Sequence, residues 1–201
     1  MRAILLSILF LSFGAIHLFA DQKQIDSEHS TLTIHVGKSG LLSAAGHEHT
    51  VTAPIAEGII DIGSTAKVSF RVEAARLMVL PEEHQSEIQH TMQERVLESA
   101  RFPEIRFVSD KIQSTGDGTW NVSGMLTLHG QTRAVLVHVQ SVDDRYVGSA
   151  TIRQTDFGIQ PVSAGGGTVR VKDELKIDFT IKTNKIPGTA ATSAPPGARH
   201  S

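Results

Sequence analysis

The sequence predicts an all-β domain with one helix, in which about eight antiparallel strands close into a barrel. Three observations predict this fold class. Apolar residues recur at every second position in seven stretches, Gly and Asp turn signals separate the stretches, and a single stretch has helical spacing instead. Alternation with a period of two is typical of strands that bury one face. Closing such a sheet removes its exposed edges, which makes a barrel the expected arrangement.

The predicted strands follow one another, with short connections, from residue 32 to residue 181. Their apolar faces are rich in β-branched and aromatic residues, as is usual for strands. In chain order, the apolar positions are Leu32, Ile34 and Val36; Val68, Phe70 and Val72; Ile105 and Phe107; Trp120, Val122, Gly124, Leu126 and Leu128; Val135, Val137 and Val139; Ala150 and Ile152; and Leu175, Ile177, Phe179 and Ile181.

Residues 82–99 are predicted to form the one helix. Ile88, Met92 and Val96 are spaced four residues apart, so their side chains share one helical face. Pro81 and the two glutamates after it suit a first helical turn, because proline presets φ and negative charge is favourable at a helix N-terminus.

Both ends of the chain are predicted to lie outside the barrel domain, which is assigned to residues 21–183. Residues 1–20 begin with a basic residue, continue as an apolar run and end at Ala20, as in a cleaved secretory signal peptide. Residues 184–201 hold Pro, Gly and small side chains that bury too little to offset their ordering, so a disordered C-terminal tail is expected. The protein is therefore expected to be periplasmic or secreted.

Composition excludes several classes of function. The 19 basic and 21 acidic residues give a formal net charge of −2, which offers no overall attraction for nucleic acid. Cysteine is absent, which excludes disulfides, thiolate metal sites and cysteine nucleophiles. Beyond the signal peptide, no segment is long and apolar enough to be expected to span a membrane.

Four motifs stand in order along the chain: residues 26–30 (DSEHS), 99–109 (SARFPEIRFVS), 124–133 (GMLTLHGQTR) and 153–159 (RQTDFGI). Together they resemble the YceI-like family of lipocalin-like proteins that bind lipids and polyisoprenoids. The resemblance runs from Ile25 to Thr183. It implies an antiparallel lipocalin-like β-barrel, often periplasmic, whose interior holds a long isoprenoid or fatty-acyl chain. Residues 46–49 (GHEH) depart from the family pattern, so the chain is interpreted as a divergent branch with a Gly-His-Glu-His motif.

A barrel that holds a lipid chain needs a deep apolar cavity with polar groups only at its mouth. The side chains that alternation and the helical face direct inward are the candidates for its lining. The competing interpretation is that these side chains meet and fill the barrel, and alternation does not distinguish the two. The candidate lining residues are Phe70, Val72, Leu77, Ile88, Met92, Phe107, Leu126, Leu128, Phe157, Ile177 and Phe179.

His47 and His49 carry an alternative interpretation, a periplasmic metal-binding protein. Residues at i and i+2 of a strand point to the same face, so two imidazoles there would suit zinc or copper if a third ligand completed the site. His35, His129 and His138 are the candidates for that ligand. The competing interpretation is a solvated or hydrogen-bonded histidine pair at the barrel mouth, without metal.

Motifs for covalent chemistry are absent from the sequence. It contains no G-x-S-x-G elbow and no phosphate-binding loop, and His-Glu-His is not the helical H-E-x-x-H array of zinc hydrolases. A hydrolase is therefore the least favoured of three interpretations. The favoured prediction is a non-enzymatic protein, monomeric or homodimeric, with a lipid as its partner, no nucleic acid and no cofactor.

Overall fold

The computed structural model describes residues 22–39, 48–62, 65–164 and 169–185. One α-helix in these ranges, α1 (Gln85–Thr91), lies between the sixth and seventh of twelve strands. The strands are β1 (Gln22–Ile25), β2 (Thr31–Ser39), β3 (His49–Thr52), β4 (Ile55–Asp61), β5 (Lys67–Glu73), β6 (Met78–Val79), β7 (Glu104–Gly116), β8 (Thr119–Leu128), β9 (Gln131–Val142), β10 (Arg145–Arg153), β11 (Ser163–Ala164) and β12 (Val169–Lys185).

Eight of these strands form a closed antiparallel ring, in the order β1, β4, β5, β7, β8, β9, β10 and β12. The ring closes at β1, which pairs with β4 on one side and with the end of β12 on the other. The predicted all-β barrel with one helix is therefore confirmed. Where β1 completes the ring, closure leaves no unpaired strand edge, as expected for a stable antiparallel sheet.

Two of the ring strands, β1 and β4, are each joined by a short connection to a further strand that extends the sheet. After β1, residues 26–30 turn around Asp26, whose carboxylate accepts hydrogen bonds from the backbone N–H groups of Glu28 and His29. The chain then resumes as β2, which pairs with the same strand β12. Likewise β3 precedes β4, pairs with β2, and is itself paired with β6. These extensions lengthen the barrel wall at the end where α1 lies.

The α-helix begins three residues later than predicted. His84, the residue before it, adopts the left-handed conformation with φ of 58°, and Glu82 contacts a histidine of β3 instead of entering the first turn. After Thr91 the helix continues as a π-helical turn, Met92–Val96, and ends before Glu98, where φ is 44°. Contacts with the barrel thus override the local preference of Pro81 and the glutamates for a helical first turn.

Two glycines let aromatic rings lie flat against the inside of the wall. A Cβ on Gly124 would lie 2.6 Å from Phe107 Cζ and 2.6 Å from the carbonyl oxygen of Val108. A Cβ on Gly148 would lie 2.5 Å from Phe179 Cζ and would also clash with the carbonyl oxygen of His138. No other residue fits these positions without displacing a ring or the backbone.

The last strand, β12, includes Asn184 and Lys185, which pair with Gln24 and Lys23 of β1. The ordered domain thus continues two residues past the predicted start of the tail, because these residues complete the ring. The predicted signal peptide, residues 1–20, and residues 186–201 of the predicted tail lie outside the described residues. In the part of the chain that is described, no helix has the length and apolar character needed to cross a membrane.

Candidate ligand-binding cavity

The barrel encloses an apolar cavity of about 960 Å³. All eight ring strands contribute side chains to its wall, and α1 and the π-helical turn contribute Ile88, Met92 and Val96. This volume lies near the upper end of the roughly 300–1,000 Å³ typical of small-molecule sites. The interior is therefore a hollow and not a fully packed core, which settles the choice that alternation left open.

Ten of the eleven side chains predicted to line a cavity lie on its wall. Phe157 is the exception. It belongs to a 3₁₀ turn (Gln154–Phe157) after β10, is only 1% exposed, and does not line the cavity. Whether the ten residues contact a ligand stays a prediction. The ten are Phe70, Val72, Leu77, Ile88, Met92, Phe107, Leu126, Leu128, Ile177 and Phe179.

Two aromatic pairs shape the cavity at different levels. The rings of Phe70 and Phe107, on the paired strands β5 and β7, are stacked with centroids 5.5 Å apart. The rings of Trp120 and Tyr146 meet edge to face at 6.2 Å, near the start of β8 and β10 and thus far from α1. Aromatic side chains combine a large apolar surface with defined geometry, so these pairs give the cavity a fixed outline.

Sequence reasoning missed part of the lining, including Ile25, Ile55 and Ile60 of β1 and β4. These strands are short, and Gly58 interrupts the alternation in β4. In β4 the register with β5 shifts at a β-bulge between Ile55 and Glu57. The inward positions are therefore Ile55, Gly58 and Ile60, which do not keep a period of two. A bulge inserts one residue and shifts the inward face, so a search for alternation with a single shift would have found β4.

Polar groups on the cavity wall are concentrated at the α1 end. Lys38 at the end of β2, His49 at the start of β3, and His84, Glu87 and Thr91 around α1 all line the cavity. The pairing of Val36 with His49 places Lys38 and His49 at the same end of neighbouring strands. The opposite end contributes Asp61, which accepts a hydrogen bond from the Gln22 side chain. The α1 end is therefore the more polar mouth.

His49 is held by a carboxylate at this mouth. Its Nδ1 lies 2.9 Å from both carboxylate oxygens of Glu82, and both side chains are largely buried. Because a carboxylate accepts and does not donate, Nδ1 carries the hydrogen, and the other ring nitrogen, Nε2, can accept a hydrogen bond when the ring is neutral. This contact joins residues 33 positions apart in the sequence, which is why spacing alone did not reveal it.

The described residues offer no third ligand to the predicted histidine metal site. His47 lies outside them, and His35 Nε2 is engaged 3.0 Å from Asp178. In the strand order, β10, β12 and β2 separate His129 and His138 from His49 on β3. His129 contacts Glu98, and His138 contacts Asn121. Across the described ranges, no three His, Asp or Glu side chains are arranged to hold a metal ion. Among the described residues, the zinc or copper interpretation therefore has no complete donor set.

Three glutamines attach α1 and its π-helical turn to the barrel. Gln85, Gln89 and Gln93 lie four residues apart on one face of the helix, and their side-chain amides hydrogen-bond the backbone between residues 74 and 79. Gln89 makes two such bonds, accepting from Val79 N and donating to Leu77 O, both at 2.8 Å. The amides take the place of a neighbouring strand beside β6, since buried backbone groups need partners. The helix thereby covers the polar mouth.

The chain matches the family described as "YceI-like domain" over residues 24–183. Among curated relatives, a "UPF0312 protein" from Pseudomonas savastanoi pv. phaseolicola is 28% identical over 124 residues, which are 57% of this chain and 61% of that protein. The alignment therefore spans less than two thirds of that relative's length.

Two solved structures share the fold. A polyisoprenoid binding domain from Saccharophagus degradans, implicated in plant cell wall breakdown, has a TM-score of 0.58 at 13% identity, covering 83% of this chain and 99% of that domain. BcnA from Burkholderia cenocepacia has a TM-score of 0.53 at 19% identity, covering 78% of this chain and 98% of BcnA. Because the family match covers most of the chain and the closed barrel agrees with it, the chain belongs to the YceI-like domain family.

Proposed function

We propose that the protein is an exported, non-enzymatic binding protein that holds the apolar chain of an amphiphilic lipid, such as a polyisoprenoid, inside its barrel. The observation that carries the proposal is the cavity of about 960 Å³ walled almost entirely by aliphatic and aromatic side chains. The likeness to a polyisoprenoid binding domain supports the choice of ligand class. The N-terminal sequence, which has the features of a signal peptide, supports export.

The energetics favour a long chain over a short one. Each methylene group moved from water contributes about 0.8 kcal/mol, so about fifteen of them contribute about 12 kcal/mol. Association itself costs roughly 4–15 kcal/mol in lost freedom of motion. A chain of only a few carbons therefore gains too little to bind, whereas a long chain binds without any directional contact. The ligand is expected to be selected by the length and flexibility of its apolar chain more than by directional polar contacts.

The polar lining orients the ligand. Lys38, His49, His84 and Glu87 surround the α1 end, whereas the wall between that end and Trp120 is apolar. An amphiphile gains most when its polar group lies beside these side chains and its chain runs toward the Trp120–Tyr146 pair. In this orientation Nε2 of His49, positioned by Glu82, is available to the polar group of the ligand.

Binding is tested with cis-parinaric acid, a fluorescent polyene fatty acid, added to the purified protein. Val137→Trp places an indole inside the cavity, because Val137 lines its wall on β9. His138→Trp is the matched control, since the next residue of the strand points outward and is exposed. We expect Val137→Trp to weaken binding by at least about tenfold, which corresponds to about 1.4 kcal/mol, and His138→Trp to bind like the unmodified protein.

Equal binding by both tryptophan variants would contradict a ligand inside the barrel. Native mass spectrometry of the protein purified without chelator supplies an independent readout. A lipid-sized adduct that is lost in organic solvent supports the proposal. A stoichiometric zinc or copper adduct that is lost in His49→Ala would instead support the metal-binding interpretation.

A further inference from the structure

The barrel wall is split where β9 and β10 should continue to pair. Their register runs from Val142 opposite Arg145 to Val137 opposite Ala150 and then stops. Continued register would pair Leu136 with Thr151, Val135 with Ile152, and Ala134 with Arg153. Yet β9 remains paired with β8 as far as Gln131, and β10 remains paired with β12 as far as Arg153. Each strand therefore stays paired with its other neighbour, β9 with β8 and β10 with β12, while the two strands separate from each other.

A groove of about 490 Å³ occupies this split on the outer surface of the barrel. Val135, Ala150 and Ile152 line both this lateral groove and the interior cavity. These three side chains therefore lie between the groove and the interior at this level. Leu136, a groove residue that is 47% exposed, provides an apolar surface at the outer rim.

The far end of the lateral groove is lined by Asp156 and Phe157 of the 3₁₀ turn after β10, and a side-chain contact holds this turn. The 3₁₀ turn Gln154–Phe157 crosses from β10 toward the start of β9, and His129 in the β8–β9 turn meets it. His129 Nδ1 lies 3.3 Å from the carbonyl oxygen of Phe157, and His129 Nε2 lies 3.1 Å from the carboxylate of Glu98. The imidazole thus links the turn after β10 to the segment that follows the helix.

The split part of the wall can widen without breaking a ladder of backbone hydrogen bonds between its two strands. Between residues 131–135 and 152–158, all of which the structure describes, no backbone hydrogen bond joins the two sides. Regions held by few hydrogen bonds open at a lower free energy than the paired core of a sheet.

We propose that the lateral groove between β9 and β10 is the opening through which the apolar chain of the ligand is loaded and released, and that His129 holds this opening shut. The inference rests on the proposed function, because it gives the route to a cavity that holds a lipid chain. A sideways route lets a long chain enter along its length without being threaded past α1 and the glutamines that hold it.

The absence of cysteine from the chain makes this route testable by crosslinking. Leu136→Cys with Thr151→Cys places two outward-facing thiols on either side of the split, where a bismaleimide with a short alkyl spacer joins them. Gln140→Cys with Val147→Cys is the matched control, because this outward-facing pair lies on the same two strands where they are paired. Stopped-flow fluorescence measures uptake and release of cis-parinaric acid before and after crosslinking.

We expect the Leu136–Thr151 crosslink to slow uptake and release at least about tenfold, as restriction of a rate-limiting opening does, and the Gln140–Val147 crosslink to change neither rate. Equal rates for both crosslinked proteins would overturn the lateral route while leaving the proposed function intact. Failure of the uncrosslinked protein to take up the probe would overturn both proposals.

His129→Ala tests the closing contact. His35→Ala is the control, because His35 also contacts a carboxylate, that of Asp178, and lines neither the lateral groove nor the cavity. We expect His129→Ala to accelerate uptake and release about tenfold while the equilibrium affinity changes little, because both rates rise together. Thermal unfolding confirms that each variant is folded. Identical rates in the two alanine variants would overturn the role of His129.

Discussion

The β7–β8–β9 wall and the α1 cap are held by different kinds of hydrogen bond. Every residue of β8 from Thr119 to Leu128 pairs with β9, and β7 pairs with most of the opposite edge of β8. The cap, defined here as α1 and its π-helical turn, is held by the amides of Gln85, Gln89 and Gln93 and by apolar contacts. The wall thus depends on an extended backbone ladder, whereas the cap depends on side-chain contacts.

This difference separates the rigid part of the molecule from the part that can open. A ladder with many cooperating bonds resists local separation, but side-chain contacts can be lost one at a time. The 3₁₀ turn Gln154–Phe157 belongs with the cap in this respect. It is attached through Gln154 Nε2, which donates to Lys172 O at 2.8 Å, and through Thr155, which donates to Asp173. Side-chain attachment is therefore found at the cavity mouth and beside the lateral groove.

The largest expected effect is in the wall. Gly124→Ala forces Phe107 or the backbone of Val108 to move, so we expect the free energy of unfolding to fall by about 2 kcal/mol, within the range for overpacked cores. Gly37→Ala is the control, because its Cβ would meet the flexible side chain of Lys172, which can move away. Urea unfolding measures both. A smaller loss in Gly124→Ala than in Gly37→Ala would contradict a rigid wall.

A smaller and local effect is expected in the cap. Gln89→Ala leaves the backbone N–H of Val79 without its partner, which costs about 1 kcal/mol or somewhat more for a buried group. Hydrogen exchange should then speed up in residues 77–96 and remain unchanged in β8. Ser86→Ala, a substitution at an exposed position on the same helix, is the control. Faster exchange in β8 as well would show that cap and wall unfold as one unit.

The smallest effect concerns the turn beside the groove and depends on pH. Hydrogen bonds from the backbone N–H and the hydroxyl of Thr155 lower the pKa of Asp173 in the folded protein. A carboxyl whose pKa is lower in the folded state stabilises the fold above its ordinary pKa, and this contribution is lost as the pH falls through the folded value. Asp173→Asn should therefore lower the melting temperature by a few degrees at neutral pH and have less effect in acid.

Glu174→Gln, which changes the neighbouring carboxylate on the same strand, controls for the loss of one negative charge. Its effect on the melting temperature should be smaller than that of Asp173→Asn at neutral pH. Equal effects of the two substitutions at every pH would show that the Thr155–Asp173 contact contributes nothing to attaching the turn.

Alternation predicted the β7–β8–β9 wall better than it predicted the inward positions of β1 and β4. The inward positions of β8, from Trp120 to Leu128, were read directly from period two, because a strand paired on both sides keeps a regular pleat. The bulge in β4 and the break between β1 and β2 interrupt that period. There, local spacing no longer reports which face a side chain occupies, and Ile25, Ile55 and Ile60 were missed as cavity residues.

The mouth depended on contacts between distant residues. The helix was expected at residue 82, but Glu82 contacts His49, and the helix begins only at Gln85. Phe157 was expected inside the barrel, but the 3₁₀ turn after β10 directs it elsewhere. In each case a contact made only after folding outweighs a local preference, which is worth a fraction of a kcal/mol per residue.

By itself, the sequence determined the fold class, most of the apolar lining and the family resemblance, because strand periodicity and motif order are local properties of the chain. Only the tertiary structure decided that the barrel is hollow, that its polar mouth lies beneath α1, and that its wall is split between β9 and β10. These features depend on how far apart strands and rings come to rest after closure. That separation is set by glycine positions, bulges and register across the whole ring, which no single stretch of sequence encodes.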